Sequence, residues 1–288
     1  MGVPAILVGS IRVLIRGICT MHKKKSLAQH FLRDPRILQK IADAARLAPE
    51  DAVLEVGPGE GTLTELLLQR AGHIVAVEKD ARLIPALQER FAKEISAQKL
   101  ELVHDDILKF DTKRFTLHAT RYKIVANLPY YITGQFLRKF LQETKRQPAS
   151  MTLLLQKEVA RRIVAADKRE SVLSISVKCY GTPRYIATVK AGSFSPPPKV
   201  ASAILTIENI SKSFFANAVV KPLKITRSDL VKKEGEFFAL LKKGFAHPRK
   251  LLSSNLGVPP SVLQECGIAP HARAENVSLA QWQCLLER

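Results

Sequence analysis

Asn127-Leu128-Pro129-Tyr130 is a run of residue types suited to making an unreactive amine attack. The exocyclic N6 of an adenine is planar because its lone pair is delocalised into the ring. Two acceptors aimed at its two hydrogens draw the nitrogen towards tetrahedral geometry and localise that pair. The Asn127 side-chain oxygen and the Leu128 carbonyl, held open by Pro129, are the acceptors the run offers. Tyr130 adds an aromatic face for a base to stack on, which implies a base out of its helix. No general base is required, since a methylated ammonium sheds its proton readily. The run points to methylation of an amino nitrogen. On its own it does not separate adenine from cytosine or glutamine, or RNA from DNA.

A methyl donor needs its own cradle, and Glu55-Val56-Gly57-Pro58-Gly59-Glu60-Gly61 has the composition for one. Glycines 57, 59 and 61 allow sharp turns and bring bare backbone against a ligand. A dinucleotide fingerprint would place its third glycine where Thr62 stands, so the loop has the G-x-G-x-G form of methyl-donor enzymes. Thr62 to Glu65 reads as a capping box opening the next helix. Glu55 ends the preceding strand with an acid that suits a sulfonium better than a pyrophosphate. Glu78, 21 residues after Gly57, can take both ribose hydroxyls, and Asp106 can accept from the cofactor's adenine amine, with Asp105 as its alternative. All lie at carboxyl ends of successive strands, where open α/β sheets bind ligands. The cofactor so implied is S-adenosyl-L-methionine, and no residue cluster calls for a metal.

The elements that must position these groups are legible as alternation. The β-rich runs are AVLEV (52–56), HIVAVE (73–78), LELVH (100–104), YKIVAN (122–127) and MTLLLQ (151–156). Helically spaced segments separate them, which predicts a parallel sheet with helices on both faces. RYIATV (184–189) and SAILTIE (202–208) flank a proline-rich loop and extend the sheet as an antiparallel edge. The fold class expected is α/β, a Rossmann-like methyltransferase sheet over 23–209, followed by a small all-α domain over 210–288. Residues 1–22 read as an N-terminal extension. They are apolar but interrupted by Arg12 and Arg16, too broken for a membrane span and without a secretory cleavage site. An upstream start site and a mitochondrial transit peptide are the two accounts of them, the first favoured because Met21 opens a natural start.

Apolar residues at 46% exclude global disorder, and a net charge of +19 with pI near 10 fits a polyanionic partner. Excess positive charge is spread along the chain, as suits a broad contact with folded RNA. The four cysteines (Cys19, Cys179, Cys266, Cys284) form no C-x-x-C, so neither a zinc site nor a redox pair is expected, and a reduced cytoplasmic protein is.

Taken in order, AQHFLRD (28–34), EVGPGEGTLT (55–64), VEKD (77–80), DDILKF (105–110), NLPYYIT (127–133), LQKEVARRIVA (155–165), FSPPPKVASAIL (194–205) and FFALLKKGFAHPRKLLSSNL (237–256) carry a resemblance. The chain resembles the KsgA group of small-subunit rRNA adenine dimethyltransferases from about Lys23 to Arg288. The resemblance implies that Gln29 and His30 lie over the methionine part of the cofactor, Gly57 and Gly59 cradle it, Glu78 binds the ribose and Asp106 the adenine amine. It implies that Asn127 to Tyr130 hold the target N6, with Phe194 packed on the base opposite Tyr130. The implied partner is small-subunit rRNA in the assembling ribosomal subunit, at two adjacent adenines of the 3′-terminal hairpin, met by a monomer with no membrane or DNA role. Lys157–Arg162 and Lys242–Lys250 are the candidate RNA backbone contacts. Two departures stand out. Ala28 replaces a glycine common in the first motif, and Pro248 replaces an arginine of the C-terminal basic motif.

Three rival readings remain. The Erm group methylates one large-subunit rRNA adenine on the same fold, but Leu128 and the triple proline favour the first reading. DNA adenine methyltransferases open the tetrad with an acid and add a target-recognition domain. Mitochondrial relatives that act as transcription factors find support only in the basic first 25 residues.

Overall fold

The computed structural model describes residues 30–112, 121–217 and 226–288. The readings made of residues 1–22 and of Gln29 lie outside the described residues. Seven strands form the main sheet: β2 (Ala52–Val56), β3 (His73–Glu78), β4 (Leu100–His104), β5 (Tyr122–Asn127), β6 (Ser150–Gln156), β7 (Thr182–Val189) and β9 (Ser202–Glu208). Their spatial order is β4-β3-β2-β5-β6-β9-β7. The first five are parallel, while β9 pairs antiparallel with both β6 and β7. All seven β-rich runs of the sequence are thus strands, and the antiparallel edge is where the two later runs placed it.

Alternation along the strands makes two cores. Leu54, Val75, Ile124 and Leu153 face one cluster, whereas Val53, Ile74, Val125 and Leu154 face the other. Each side chain so buried stabilises the fold by about 1.5–3 kcal/mol. Helices α1 (Pro35–Ala44) and α2 (Thr62–Leu68) cover the second cluster through Leu38, Ile41, Leu63 and Leu67. Helix α3 (Ile84–Arg90) adds Leu87 there, and the short α4 (Ala92–Ser96) follows it. On the other face α5 (Thr133–Arg138), α6 (Lys157–Val164) and α7 (Val172–Lys178) contribute Phe136, Ile163 and Ile175. A two-residue strand β1 (Phe31–Leu32) pairs with β8 (Phe194–Ser195), so the chain before the sheet is tied to the proline-rich loop.

The described residues after 210 are helical, as their Gly- and Pro-punctuated pattern indicated. Its longest helix, Arg227–Gly244, and its last, Leu279–Leu286, pack through buried Phe237, Leu241 and Trp282. These side chains share one continuous cluster with the sheet face, joined through Phe215 and Tyr180.

Two expectations are corrected. Cys266 and Cys284 form a disulfide with a Cα–Cα separation of 5.7 Å, and Cys179 is a buried free thiol. Their 18-residue separation carries no motif; the pairing arises because the turn after Pro260–Glu265 packs beside the last helix. The helix after the glycine loop has no Thr62 capping box either. Its N-cap is Gly61, left-handed at φ 80°, with no side-chain cap. Thr62 is already the first helical residue, and Glu65 turns outward to an ion pair with Arg90 at 2.6 Å.

Candidate active site

Strand register decides what meets at the carboxyl edge of the sheet. Val56 is level with both Val77 and Ala126, and Asn127 with Leu154. Gly57, Glu78 and Asn127 therefore emerge side by side, although they are far apart in sequence. They open into a cavity of about 320 Å³, at the small end of the range for ligand sites. Its walls include His30, Gly57, Gly59, Glu78, Asp105, Asp106, the Asn127–Tyr130 run and Phe194.

The glycine loop is built to expose backbone. Gly57 and Gly59 have φ of 68° and 62°, a region that favours glycine. A Cβ on Gly59 would lie 3.1 Å from the Phe31 ring, so the loop and the β1 segment touch only because that atom is missing. One amide of the loop is already used: Gly59 donates its N–H to Glu78 Oε2 at 3.1 Å, while Asp80 N–H reaches Oε1 at 2.8 Å. Glu78 is 6% exposed, and burial raises its pKa against the opposing pull of these two N–H donors. Its carboxylate is thereby fixed in orientation, with lone pairs left to face the cavity.

Asp106 accepts from Lys79 Nζ at 2.8 Å and from Leu108 N–H at 3.0 Å. Its partial burial would raise its pKa, but these donors outweigh that and hold the carboxyl below its usual value. Asp105 lines the same wall and accepts from the Asp106 N–H at 2.7 Å, so the two acids share one turn.

At the tetrad, Asn127 donates its side-chain N–H to the His30 carbonyl at 3.3 Å. That contact orients the amide and leaves Oδ1 as the acceptor for a ligand. Leu128 N–H is tied to the Leu154 carbonyl at 3.1 Å, which anchors the backbone where the run leaves the sheet. The Tyr130 hydroxyl hydrogen-bonds Ser202 Oγ at 2.7 Å, and the imidazole of His30 lies 6.4 Å from the Tyr130 ring at 26°. His30 Nδ1 also meets the Pro196 carbonyl at 2.8 Å. Phe194, 6% exposed, reaches the cavity from the β8 strand that faces Leu32.

The structure thus brings together every described candidate except Glu55. Glu55 does not reach the cavity wall, because strand alternation turns it to the Val53 side, away from Val56. It is 1% exposed behind the loop, its Oε2 makes no hydrogen bond, and burial pushes its pKa up to about 8, helped by Glu78 and opposed by Thr64. Sequence reasoning passed over Lys79, Phe31, Tyr131 and Ser202. Lys79 stands in the quoted VEKD motif, yet nothing in the sequence shows that its ammonium crosses to Asp106. Among the described residues there is no group of side chains that could hold a metal ion, and no helix is long and apolar enough to cross a membrane.

The chemistry of this donor set fits S-adenosylmethionine. A glycine cradle lacking Cβ atoms, a pinned carboxylate beside it and a second acid beyond match a methionine, a ribose and an adenine amine in turn. The family model for ribosomal RNA adenine dimethylase matches residues 20–288. The chain is 42% identical over 274 residues to Ribosomal RNA small subunit methyltransferase A of Dehalococcoides mccartyi strain CBDB1, covering 92% of this chain and 88% of that one. To the protein of the same name in Geobacter metallireducens it is 36% identical over 275 residues, covering 91% and 94%. Among solved structures, a dimethyladenosine transferase from Plasmodium falciparum superposes with a TM-score of 0.72 at 26% identity, over 89% of this chain and 96% of the other. The 23S rRNA methyltransferase ErmE gives 0.69 at 25% identity, over 89% and 98%. The chain belongs to the ribosomal RNA adenine dimethylase family and is an S-adenosylmethionine-dependent enzyme of it.

Proposed function

We propose that the chain dimethylates N6 of two adjacent adenines in the 3′-terminal hairpin of small-subunit rRNA, acting as a cytoplasmic monomer on the assembling subunit. The observation that carries this reading is the single cavity in which the glycine loop, Glu78 and Asp106 meet Asn127 to Tyr130 and Phe194. The small-subunit substrate rests on what the most similar relatives are named for. The net charge of +19 supports an RNA partner, since phosphate neutralisation gives affinity to any polyanion.

The geometry supports a division of labour. Glu78 takes the ribose hydroxyls and Asp106 the adenine amine of the cofactor, once Lys79 yields. Glu55 backs the glycine loop and acts through it. When bound, S-adenosylmethionine supplies an electrophilic methyl on its sulfonium. Asn127 Oδ1 and the Leu128 carbonyl accept the two N6 hydrogens and localise the lone pair that forms the new N–C bond. Tyr130, held by Ser202, and Phe194 clamp the base from its two faces. The sulfonium S–C bond would break as the N–C bond forms, leaving a neutral thioether, and the methylated amine would release a proton to water. The second methyl would come from a second S-adenosylmethionine to the same nitrogen, which then offers a single N–H to the two acceptors. Exposed Arg161 and Arg162, with Lys242, Arg249 and Lys250, are the candidates for contacts to backbone phosphates.

Incubation with labelled S-adenosylmethionine and either unmethylated small subunits or large-subunit rRNA decides the substrate. Label is expected on two adjacent small-subunit adenines, and Asn127→Ala is expected to lower transfer by about 10²-fold or more while cofactor affinity is kept. Label on large-subunit RNA alone would instead make the chain a large-subunit methyltransferase, like ErmE.

A further inference from the structure

One aromatic side chain of the cavity has no place in the scheme above. Tyr131 lines the cavity, yet it is 59% exposed, the one aromatic among the exposed large hydrophobic residues described. It sits in the short turn Tyr130–Ile132, so adjacent residues send one ring inward, bonded to buried Ser202, and the other outward to the rim. Neighbouring Thr133 and Ile132 are buried and hold that turn against α5. Lys79, also on the cavity wall and about half exposed, puts a cation on the same rim. An aromatic face beside a cation is the chemistry that receives a nucleobase and its phosphate, and it costs an exposed ring nothing to be covered by one.

The geometry points to Tyr131 as a stacking platform for the nucleotide next to the target adenine. This rests on the reading that two adjacent adenines are modified. When one base enters the cavity it leaves its stack, and its neighbour loses a partner on the side where the target lay. Tyr131 replaces that partner at the mouth, so the neighbour waits one nucleotide from the site and the strand advances without being released. The ring therefore serves RNA register, whereas Tyr130 and Phe194 serve the reacting base.

The experiment pairs a change in the protein with one in the RNA. A fluorescent hairpin with two adjacent adenines is compared with the same hairpin carrying an abasic nucleotide in place of the neighbour. Each is titrated with wild type, Tyr131→Ala and Tyr131→Phe, and S-adenosylmethionine affinity is measured on each protein. Wild type is expected to bind the abasic hairpin about tenfold more weakly or worse. Tyr131→Ala is expected to lose a similar factor on the intact hairpin and little more on the abasic one, with cofactor affinity unchanged. Tyr131→Phe is expected to restore binding, because the π face and not the hydroxyl does the stacking. Equal losses from Tyr131→Ala on both hairpins, or a loss of cofactor affinity, would overturn the assignment. Methyl transfer by wild type to the intact hairpin is scored separately; label on one adenine only would overturn the two-adenine reading, whatever the binding shows.

Discussion

Glu55 is the residue whose behaviour departs furthest from its appearance in the sequence. An acid at the end of a strand before a glycine loop looks like a ligand group, but this one is sealed behind the loop with a raised pKa of about 8. Its unfolded value is near 4.3. A folded pKa above the unfolded one means the folded state binds the proton more tightly, so its stabilising contribution is complete at acid pH and is lost as pH rises through about 8. Glu55→Gln keeps the shape without the titration. The melting-temperature gap between variant and wild type is therefore expected to move in the variant's favour from pH 5 to pH 8.5. A gap that stays constant would show that folded Glu55 is already ionised at pH 5, as it is in the unfolded chain, and that its pKa is not raised. Glu78 and Asp106, which do line the cavity, are held as acceptors by N–H donors and a lysine.

At the scale of elements, the loop from Gly57 to Gly61 works because three glycines take left-handed backbone in alternation. Gly61 is the most constrained. It caps the following helix at φ 80°, and a Cβ there would lie 2.6 Å from the Phe91 ring. Gly61→Ala is expected to cost about 1–3 kcal/mol, read as a lower denaturation midpoint at unchanged slope, and to weaken cofactor binding with it. A variant of normal stability would mean that Phe91 gives way freely. The capping box that Thr62 and Glu65 spell out is absent for the same reason. The turn that the glycines impose sets where the helix starts, and a helical Thr62 cannot cap it.

At the scale of the whole molecule, the helical segment after 210 is attached to the sheet by a shared core and closed on itself by Cys266–Cys284. Closing a loop of this length stabilises by about 3 kcal/mol, mostly by restricting the unfolded chain. Dithiothreitol is expected to lower the melting temperature by several degrees, and Cys266→Ser to match the reduced protein with or without it. Insensitivity of the wild type to reductant would show that the two thiols do not pair in solution. A chain acting in a reducing cytoplasm would hold the pair as thiols.

Much of this enzyme is determined locally and can be seen in the sequence. The seven strands announced themselves by short apolar or β-branched runs: the central ones are nearly continuous because both sheet faces are buried, whereas the edge strand Thr182–Val189 alternates. The loop and the Asn127–Tyr130 run are contiguous, so their chemistry is written in adjacent letters. Tertiary structure decided the rest, because it depends on which side of a strand a residue leaves and on what lies across a gap. Register made Gly57, Glu78 and Asn127 neighbours. Alternation by one position took Glu55 out of the cavity, and the tight turn Tyr130–Ile132 put Tyr130 inside and Tyr131 at the rim. Pairings across the fold, Lys79 with Asp106, Tyr130 with Ser202 and Cys266 with Cys284, follow no local pattern and exist only once the sheet and helices are packed.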